Sequence, residues 1–248
     1  VDIPSKPSKV DPSKNPVCAY MICLLKMLLE LIGSYKQSKF EFLTYNRRNV
    51  YSEKPKPRVT ALNFFLYKLI DRPAGTEKNV YAQRRREVIS TLARSVIVAF
   101  ISDTQIQITP KQDLTKQDPD MVFIRKFTIE SVIKVIKNST SSPKILENNV
   151  SRLESWFKII GSMVYVQAPY LRSILDTNKI EADQYQICKL MIELGVPTAI
   201  TDCMANLDLN YPFSRTLFNE AVDALNAINF TRNNFSDLFK VESHDDED

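Results

Sequence analysis

The chain has 248 residues, of which 44% are hydrophobic, and this is enough to bury one substantial core or to form a run of stacked repeats. Its 4 glycines are too scattered for a phosphate-binding loop, and its single histidine, His244, lies in an acidic tail, which excludes catalytic sites built around histidine. The last eight residues contain five acids and no Lys or Arg, which leaves +9 on the rest of the chain, against +4 overall.

The chain begins with a stretch, residues 1–15, that is rich in Pro, Ser and Lys and is typical of a flexible linker. Asn15 and Pro16 then supply an N-cap and a first-turn proline for the first helix, which we expect to stop at Gly33. This helix is very apolar, but it is shorter than the span of about 20 residues that a membrane requires, and it contains two charges. We therefore expect a buried helix and no membrane partner.

The next part of the chain alternates helical patterns with charged connections. A second helix is predicted at 34–45, a charged loop with two prolines at 46–58, and a third helix at 61–70. A long fourth helix is predicted at 80–102. Its apolar stripe consists of Val88, Leu92, Val96 and Ala99.

A long connection follows the fourth helix. Residues 103–118 exceed the loop length that compact domains usually tolerate, so we expect an exposed, mobile loop or a partner contact. Two amphipathic helices are then predicted at 119–137 and 144–166, separated by a break that ends at Pro143.

The segment from Ile187 to Phe230 contains three apolar helical stripes separated by two breaks. Gly195 and Pro197 form the first break, and the segment from Asp208 to Pro212 forms the second. Each helix has an apolar face that it cannot bury alone, so the pattern favours a stack of helices. With no convincing strand, the sequence predicts an all-α chain, built as an armadillo- or HEAT-like helical-repeat solenoid, although a compact helical bundle stays open.

Two ordered blocks within residues 57–240 contain distinctive motifs. They are Pro57-Arg-Val-Thr-Ala-Leu-Asn-Phe-Phe-Leu-Tyr-Lys-Leu-Ile with Ser95-Val-Ile-Val-Ala-Phe in the first block, and Gly195-Val-Pro, Leu207-Asp-Leu-Asn-Tyr-Pro and Phe218-Asn-Glu-Ala-Val-Asp-Ala-Leu in the second. These blocks resemble the N-terminal armadillo-like region of the giant HECT-type E3 ubiquitin ligases of the Mule and UPL type, from a fungus or another lower eukaryote. The resemblance implies a scaffold region and assigns no active-site residue.

Two basic clusters are candidates for partner binding, one in the charged loop and one in the opening turns of the fourth helix. Clustered Lys and Arg can neutralise the phosphates of a nucleic acid, but a solvated charged face gives the same pattern and is the interpretation that we favour. The clusters are Lys54, Lys56 and Arg58 in the loop, and Arg84, Arg85 and Arg86 in the helix.

The acidic end of the chain is the third candidate. Residues 241–248 are typical of a disordered, solvated tail that follows a helical domain at 16–240. A flexible acidic tail could attract basic protein substrates. Its partner-binding candidates are Asp245, Asp246, Glu247 and Asp248.

The four cysteines, Cys18, Cys23, Cys188 and Cys203, form no CxxC pair and fall on apolar stripes, which is typical of reduced core cysteines. We expect no cofactor, no metal and no catalysis by this segment. The resemblance implies a parent enzyme that transfers ubiquitin from a distant C-terminal HECT lobe, while this segment recruits protein substrates, including basic nuclear proteins, in the nucleus and cytoplasm. The alternative is a free-standing helical-repeat adaptor or transport factor that binds RNA or basic protein segments.

Overall fold

The computed structural model describes residues 15–44, 61–70, 80–103, 118–164 and 177–242, and these residues form helices without a strand. The prediction of an all-α chain is confirmed. The helices are α1 (Pro16–Ser34), α2 (Lys36–Thr44), α3 (Ala61–Phe64, continued by a π-helical turn at Phe65–Leu69), α4 (Val80–Ile101), α5 (Pro119–Ser139), α6 (Pro143–Val164), α7 (Thr177–Glu193), α8 (Val196–Ala205), α9 (Ser214–Asn234) and α10 (Ser236–Glu242).

Helix α1 begins as the sequence predicts and ends one residue later. The side chain of Asn15 accepts a hydrogen bond from the backbone N–H of Cys18 at 3.0 Å, so the predicted N-cap is confirmed. The predicted stop at Gly33 is wrong, because the helix includes Gly33 and Ser34 and is ended by the extended backbone of Tyr35.

The third helix differs from its prediction at 61–70. Only its first turn is α-helical, and Ile70 N–H then donates to Phe65 O at 3.0 Å in a π-turn. The wider turn lets Phe65, Leu66 and Ile70 all face the core. The ring of Phe65 packs edge-on against that of Phe42 in α2, with centroids 5.7 Å apart.

The two breaks near the end of the chain are confirmed, and both use a left-handed backbone. Gly195 separates α7 from α8 with φ 77°, a conformation that glycine adopts without steric cost. Phe213 precedes α9 with φ 65°, a backbone conformation that residues with a Cβ rarely adopt. Helix α7 begins at Thr177, well before the apolar stripe that starts at Ile187.

The helices pack mainly against neighbours in a series. Helix α1 packs on α4, α4 packs on α5 and α6, α6 packs on α9, and α9 also contacts α7 and α8. The helices at the two ends, α1 and α9, share no substantial interface, which is the arrangement of a helical-repeat segment. The centre of the core includes Trp156 of α6, whose ring is buried and whose indole N–H finds no hydrogen-bond acceptor among the described residues.

Candidate interaction surfaces and a buried charge cluster

The basic cluster of α4 lies near the start of the helix. Arg84 and Arg86 are exposed and Arg85 is half-buried. Successive residues of an α-helix point about 100° apart, so three consecutive arginines diverge instead of lining one face. The exposed acid Glu87 follows them directly. The described part of this cluster therefore does not present a single continuous cationic patch.

The other predicted binding residues lie outside the described residues. They are Lys54, Lys56 and Arg58 of the charged loop and the acidic group at 245–248. Helix α10 extends to Glu242 and so includes the first two residues of the predicted tail. Most of the predicted loop, residues 104–117, also lies outside the described residues.

Both ends of that loop are held by hydrogen bonds to helices. Asp103 donates its backbone N–H to Asp183 Oδ2 in α7 at 2.8 Å. Asp118 is the N-cap of α5, and its carboxylate also binds Lys36 Nζ of α2 at 2.7 Å. This hydrogen bond raises the pKa of Lys36 and lowers the pKa of Asp118. The loop therefore starts and finishes at fixed points on α7 and α2.

A buried charge cluster that the sequence patterns did not predict lies at the carboxyl end of α4. Lys39 of α2 donates to the backbone carbonyls of Ala99 at 2.7 Å, Phe100 at 3.4 Å and also Ser102. Arg125 of α5 donates from Nε to the carbonyl of Ile101 at 2.8 Å. Both side chains are buried. Together they satisfy carbonyls at a helix end that have no partner within the helix.

Arg125 also connects this helix end to α7. Its guanidinium lies 2.7 Å from Asp183 Oδ1 and donates to the side-chain oxygen of Gln186. The planar guanidinium can make these bonds and the carbonyl bond at once because its donors point in different directions. Two cations are also favoured at the negative end of the helix dipole. The buried charge cluster thus joins α2, α4, α5 and α7. Its side chains are those of Lys39, Arg125, Asp183 and Gln186.

Burial changes the protonation of Lys39. Loss of hydration and, to a smaller extent, the nearby positive charge of Arg125 lower the pKa of Lys39 to about 7, while the negative charges of Asp103 and Asp183 oppose the change. The three carbonyl acceptors also favour the charged amine. Because Lys39, Arg125 and Gln186 are buried and Asp183 is only slightly exposed, we interpret the cluster as a structural one that holds the helices together. Arg125 lies among the buried apolar residues of α5, and a charge on an apolar stripe is the signal that could have revealed it. Helix α2 has no such stripe around Lys39.

The thiols differ in accessibility. Burial raises the pKa of Cys188 to about 11 and that of Cys203 to about 12, so neither forms a nucleophilic thiolate near neutral pH. Cys18 is also buried, but Cys23 is exposed, so its assignment to the core is wrong. Within the described ranges, no group of three or more His, Cys, Asp or Glu could hold a metal ion.

Helix α1 exposes much of its apolar surface. It is long and apolar enough to cross a membrane, a test that core helices of soluble proteins also pass. Only 17% of the most apolar 18-residue stretch of α1 is buried, so the expectation of a buried helix is wrong. The buried residues, Cys18, Leu25 and Ile32, face the protein. The residues of a second apolar stripe, which we call the α1 outer stripe, are Val17, Tyr20, Leu24, Met27 and Leu31.

Comparison with known proteins identifies long relatives. The chain is 61% identical over 246 residues to E3 ubiquitin-protein ligase TOM1 of Saccharomyces cerevisiae, a match that covers 99% of the chain and 8% of the relative. It is 55% identical over 242 residues to a probable E3 ubiquitin-protein ligase TOM1 of Eremothecium gossypii, covering 98% of the chain and 7% of the relative. A TOM1-like ligase of Neurospora crassa is 26% identical over 234 residues.

No protein-family profile and no solved structure matches the chain. The ligase matches nevertheless extend over almost all of its residues, at identities far above those of chance similarity. They also include the two sequence blocks on which the resemblance was based. The resemblance is therefore confirmed: over almost its whole length, the chain matches a segment of the fungal E3 ubiquitin-protein ligases of the TOM1 type.

Proposed function

We propose that this chain is a non-catalytic scaffold and substrate-recruiting segment of a ubiquitin ligase. The ubiquitin transfer itself would be carried out by a HECT lobe elsewhere in the parent polypeptide. The observation that carries the proposal is the match of nearly the whole chain to 8% of a named ligase, which leaves most of the relative for other tasks.

The described structure supports a binding role in two ways. Its helices pack as a continuous series, which keeps the spacing between distant surfaces fixed. The buried thiols Cys188 and Cys203 have raised pKa values, so they are poor acceptors for a thioester-linked ubiquitin. A rigid arm accelerates transfer by holding the substrate near the reacting centre.

The proposed partners are protein substrates, including basic nuclear proteins, together with the ubiquitin machinery that acts through the rest of the polypeptide. The proposed location is the nucleus and cytoplasm. The five acids of the last eight residues would attract basic substrates by long-range electrostatics.

The alternatives have less support. A free-standing adaptor is disfavoured because the two most similar relatives named above carry the matching segment as a small part of a ligase. Nucleic-acid binding by Arg84, Arg85 and Arg86 is disfavoured because the three side chains diverge around the helix.

Crosslinking tests the proposal directly. The full-length ligase is mixed with a basic protein substrate, treated with a short lysine-reactive crosslinker and digested for mass spectrometry. We expect substrate crosslinks within residues 16–248. As a control, the same experiment is run with a non-substrate of matched charge. Substrate crosslinks found only in other parts of the ligase would overturn the recruiting role.

A second measurement addresses the absence of catalysis. In the full-length ligase, replacing Cys18, Cys23, Cys188 and Cys203 singly with Ser should leave the ubiquitin thioester intact after incubation with a charged conjugating enzyme. Loss of the thioester in any one of these variants, with the protein still folded, would show that this segment accepts ubiquitin.

A further inference from the structure

Helix α1 has apolar residues on two neighbouring faces, and the described residues cover only one of them. Its inner face, with Cys18, Leu25 and Ile32, packs against α4. The α1 outer stripe lies beside this face, and its five side chains are between 41% and 71% exposed. A surface helix with one partner usually has a single apolar stripe, so α1 has the pattern of a helix with two partners.

The spacing of the outer stripe matches a helical partner. Its residues follow one another at intervals of three, four, three and four along the sequence. This is the repeat that keeps a row of side chains facing a second helix that runs alongside. The charged residues of α1, Lys26 and Glu30, lie away from the stripe on the remaining face.

The helix at the other end of the series differs. The outward face of α9 has no continuous apolar stripe: Phe218 and Phe230 are exposed, but they are separated by polar residues. The exposed polar residues are Arg215, Asn219, Asn226 and Asn233. A mostly polar outer face is typical of a helix face that meets solvent. The apolar outer stripe of α1 is typical of a helix inside a stack.

The family match suggests what covers the stripe. The chain spans 8% of one ligase and 7% of another, so more than nine tenths of each relative lies outside the matched part. A segment of the same polypeptide meets the stripe at a high effective concentration, commonly millimolar for a tethered partner. A second copy or a lipid surface has no such advantage.

We propose that the α1 outer stripe is the docking face for an amphipathic helix of the same ligase polypeptide that lies outside these 248 residues. This helix contributes a complementary apolar row at heptad spacing and excludes water from Tyr20, Leu24 and Met27. The inference rests on the family match and on the geometry of α1, and it does not depend on substrate recruitment.

Cysteine labelling of the full-length ligase tests whether the stripe is covered. Two variants, Met27→Cys and Lys26→Cys, are made in a Cys23→Ser background and treated with a maleimide, and the labelled peptide is quantified by mass spectrometry. Both positions are exposed in the described residues, and only position 27 lies on the stripe. We expect labelling at position 27 to be slower by about tenfold or more. Equal rates at the two positions would overturn the proposal.

Photocrosslinking then identifies what covers the stripe. A benzophenone amino acid replaces Tyr20 in full-length ligase prepared as an equal mixture of light and heavy isotopes, and ligase activity confirms that the protein is folded. We expect crosslinks within one molecule to a peptide outside residues 1–248. Crosslinks between light and heavy molecules, to lipid, or to residues 1–248 would each overturn the proposal. None of these outcomes affects the substrate-crosslinking test.

Discussion

At the scale of single residues, Lys39 is the most consequential side chain that the sequence did not reveal. Its position within a short helix of low hydrophobicity gave no reason to expect burial, yet the side chain is fully enclosed at the end of α4. The position is explained only by the carbonyls of Ala99, Phe100 and Ser102, which come from a helix 60 residues away in sequence. Local patterns contain no information on such a partner.

The lowered pKa of Lys39 predicts a stability that depends on pH. Between about 7 and 10.5 the unfolded chain holds a proton on Lys39 that the folded chain does not, so stability should rise with pH in this window. The expected slope approaches about 1.4 kcal/mol per pH unit for one proton. Urea unfolding at several pH values measures it. Lys39→Met should remove this contribution, and an unchanged slope in that variant would show that another group is responsible.

The contacts of Arg125 predict a second, larger effect on the free energy of unfolding. Arg125→Leu leaves Asp183 without its cationic partner and the Ile101 carbonyl without a donor. We expect the free energy of unfolding to fall by about 3 kcal/mol or more. The double variant Arg125→Leu with Asp183→Leu should lose less than the sum of the two single variants, because it leaves no uncompensated charge. Additive losses in the double-mutant cycle would contradict a coupled pair.

At the scale of elements, helices with continuous apolar stripes were predictable. The predictions for α4, α5 and α6 agree with the described helices to within two residues, because apolar spacing acts locally, and residues 165–166 of the sixth predicted helix lie outside the described residues. The start of α7 was not predictable from apolar spacing, since its first turns lack the stripe that begins at Ile187. The π-turn at Phe65–Leu69 was also missed, because it depends on packing against α2.

The exposure of α1 shows a further limit. Periodicity identifies apolar faces, but it does not say which neighbour covers each of them. The inner face of α1 is covered by α4, a helix that begins at Val80, and the outer stripe has no cover among the described residues. Both faces have the same appearance in the sequence.

Replacing two of the glycines with alanine should change the stability of the protein in opposite directions. An added Cβ meets nothing within 4 Å at either Gly195 or Gly33, so only the backbone distinguishes the two sites. Gly195→Ala should lower stability by about 1 kcal/mol because of its φ of 77°. Gly33→Ala, inside α1, should raise stability by about 0.5 to 1 kcal/mol. Thermal unfolding of both variants checks this, and a shift in the same direction for both would refute it.

At the scale of the whole molecule, the charge of the chain is divided between a basic body and an acidic end. The family and the helical architecture could be predicted from sequence, because both depend on motifs and on apolar spacing that span many residues. The binding surfaces could not, because the basic residues that form a continuous string at 84–86 diverge in space. A run of charge in sequence is therefore weak evidence for a charged surface on a helix.

The proposed role of the tail gives a prediction for the full-length ligase. Neutralising Asp245, Asp246, Glu247 and Asp248 to their amides should raise KM for a basic substrate several-fold at low salt, with kcat unchanged, because the acids act before chemistry. Ubiquitination rates against substrate concentration measure both constants. A control that neutralises four exposed acids of the helices, Glu130, Glu147, Asp202 and Asp223, should have a smaller effect. Equal effects in the two variants would show that the tail acts only through the net charge of the ligase.

The position of Trp156 makes its intrinsic fluorescence a probe of the middle of the helix stack. It is the one tryptophan of this chain, and it lies in α6, the helix that packs most extensively on α9. Its fluorescence therefore follows the opening of the central layers and is blind to fraying of α1. Circular dichroism, in contrast, records the loss of every helix. In this chain, the two signals would separate whenever the edge of the stack melts before its middle.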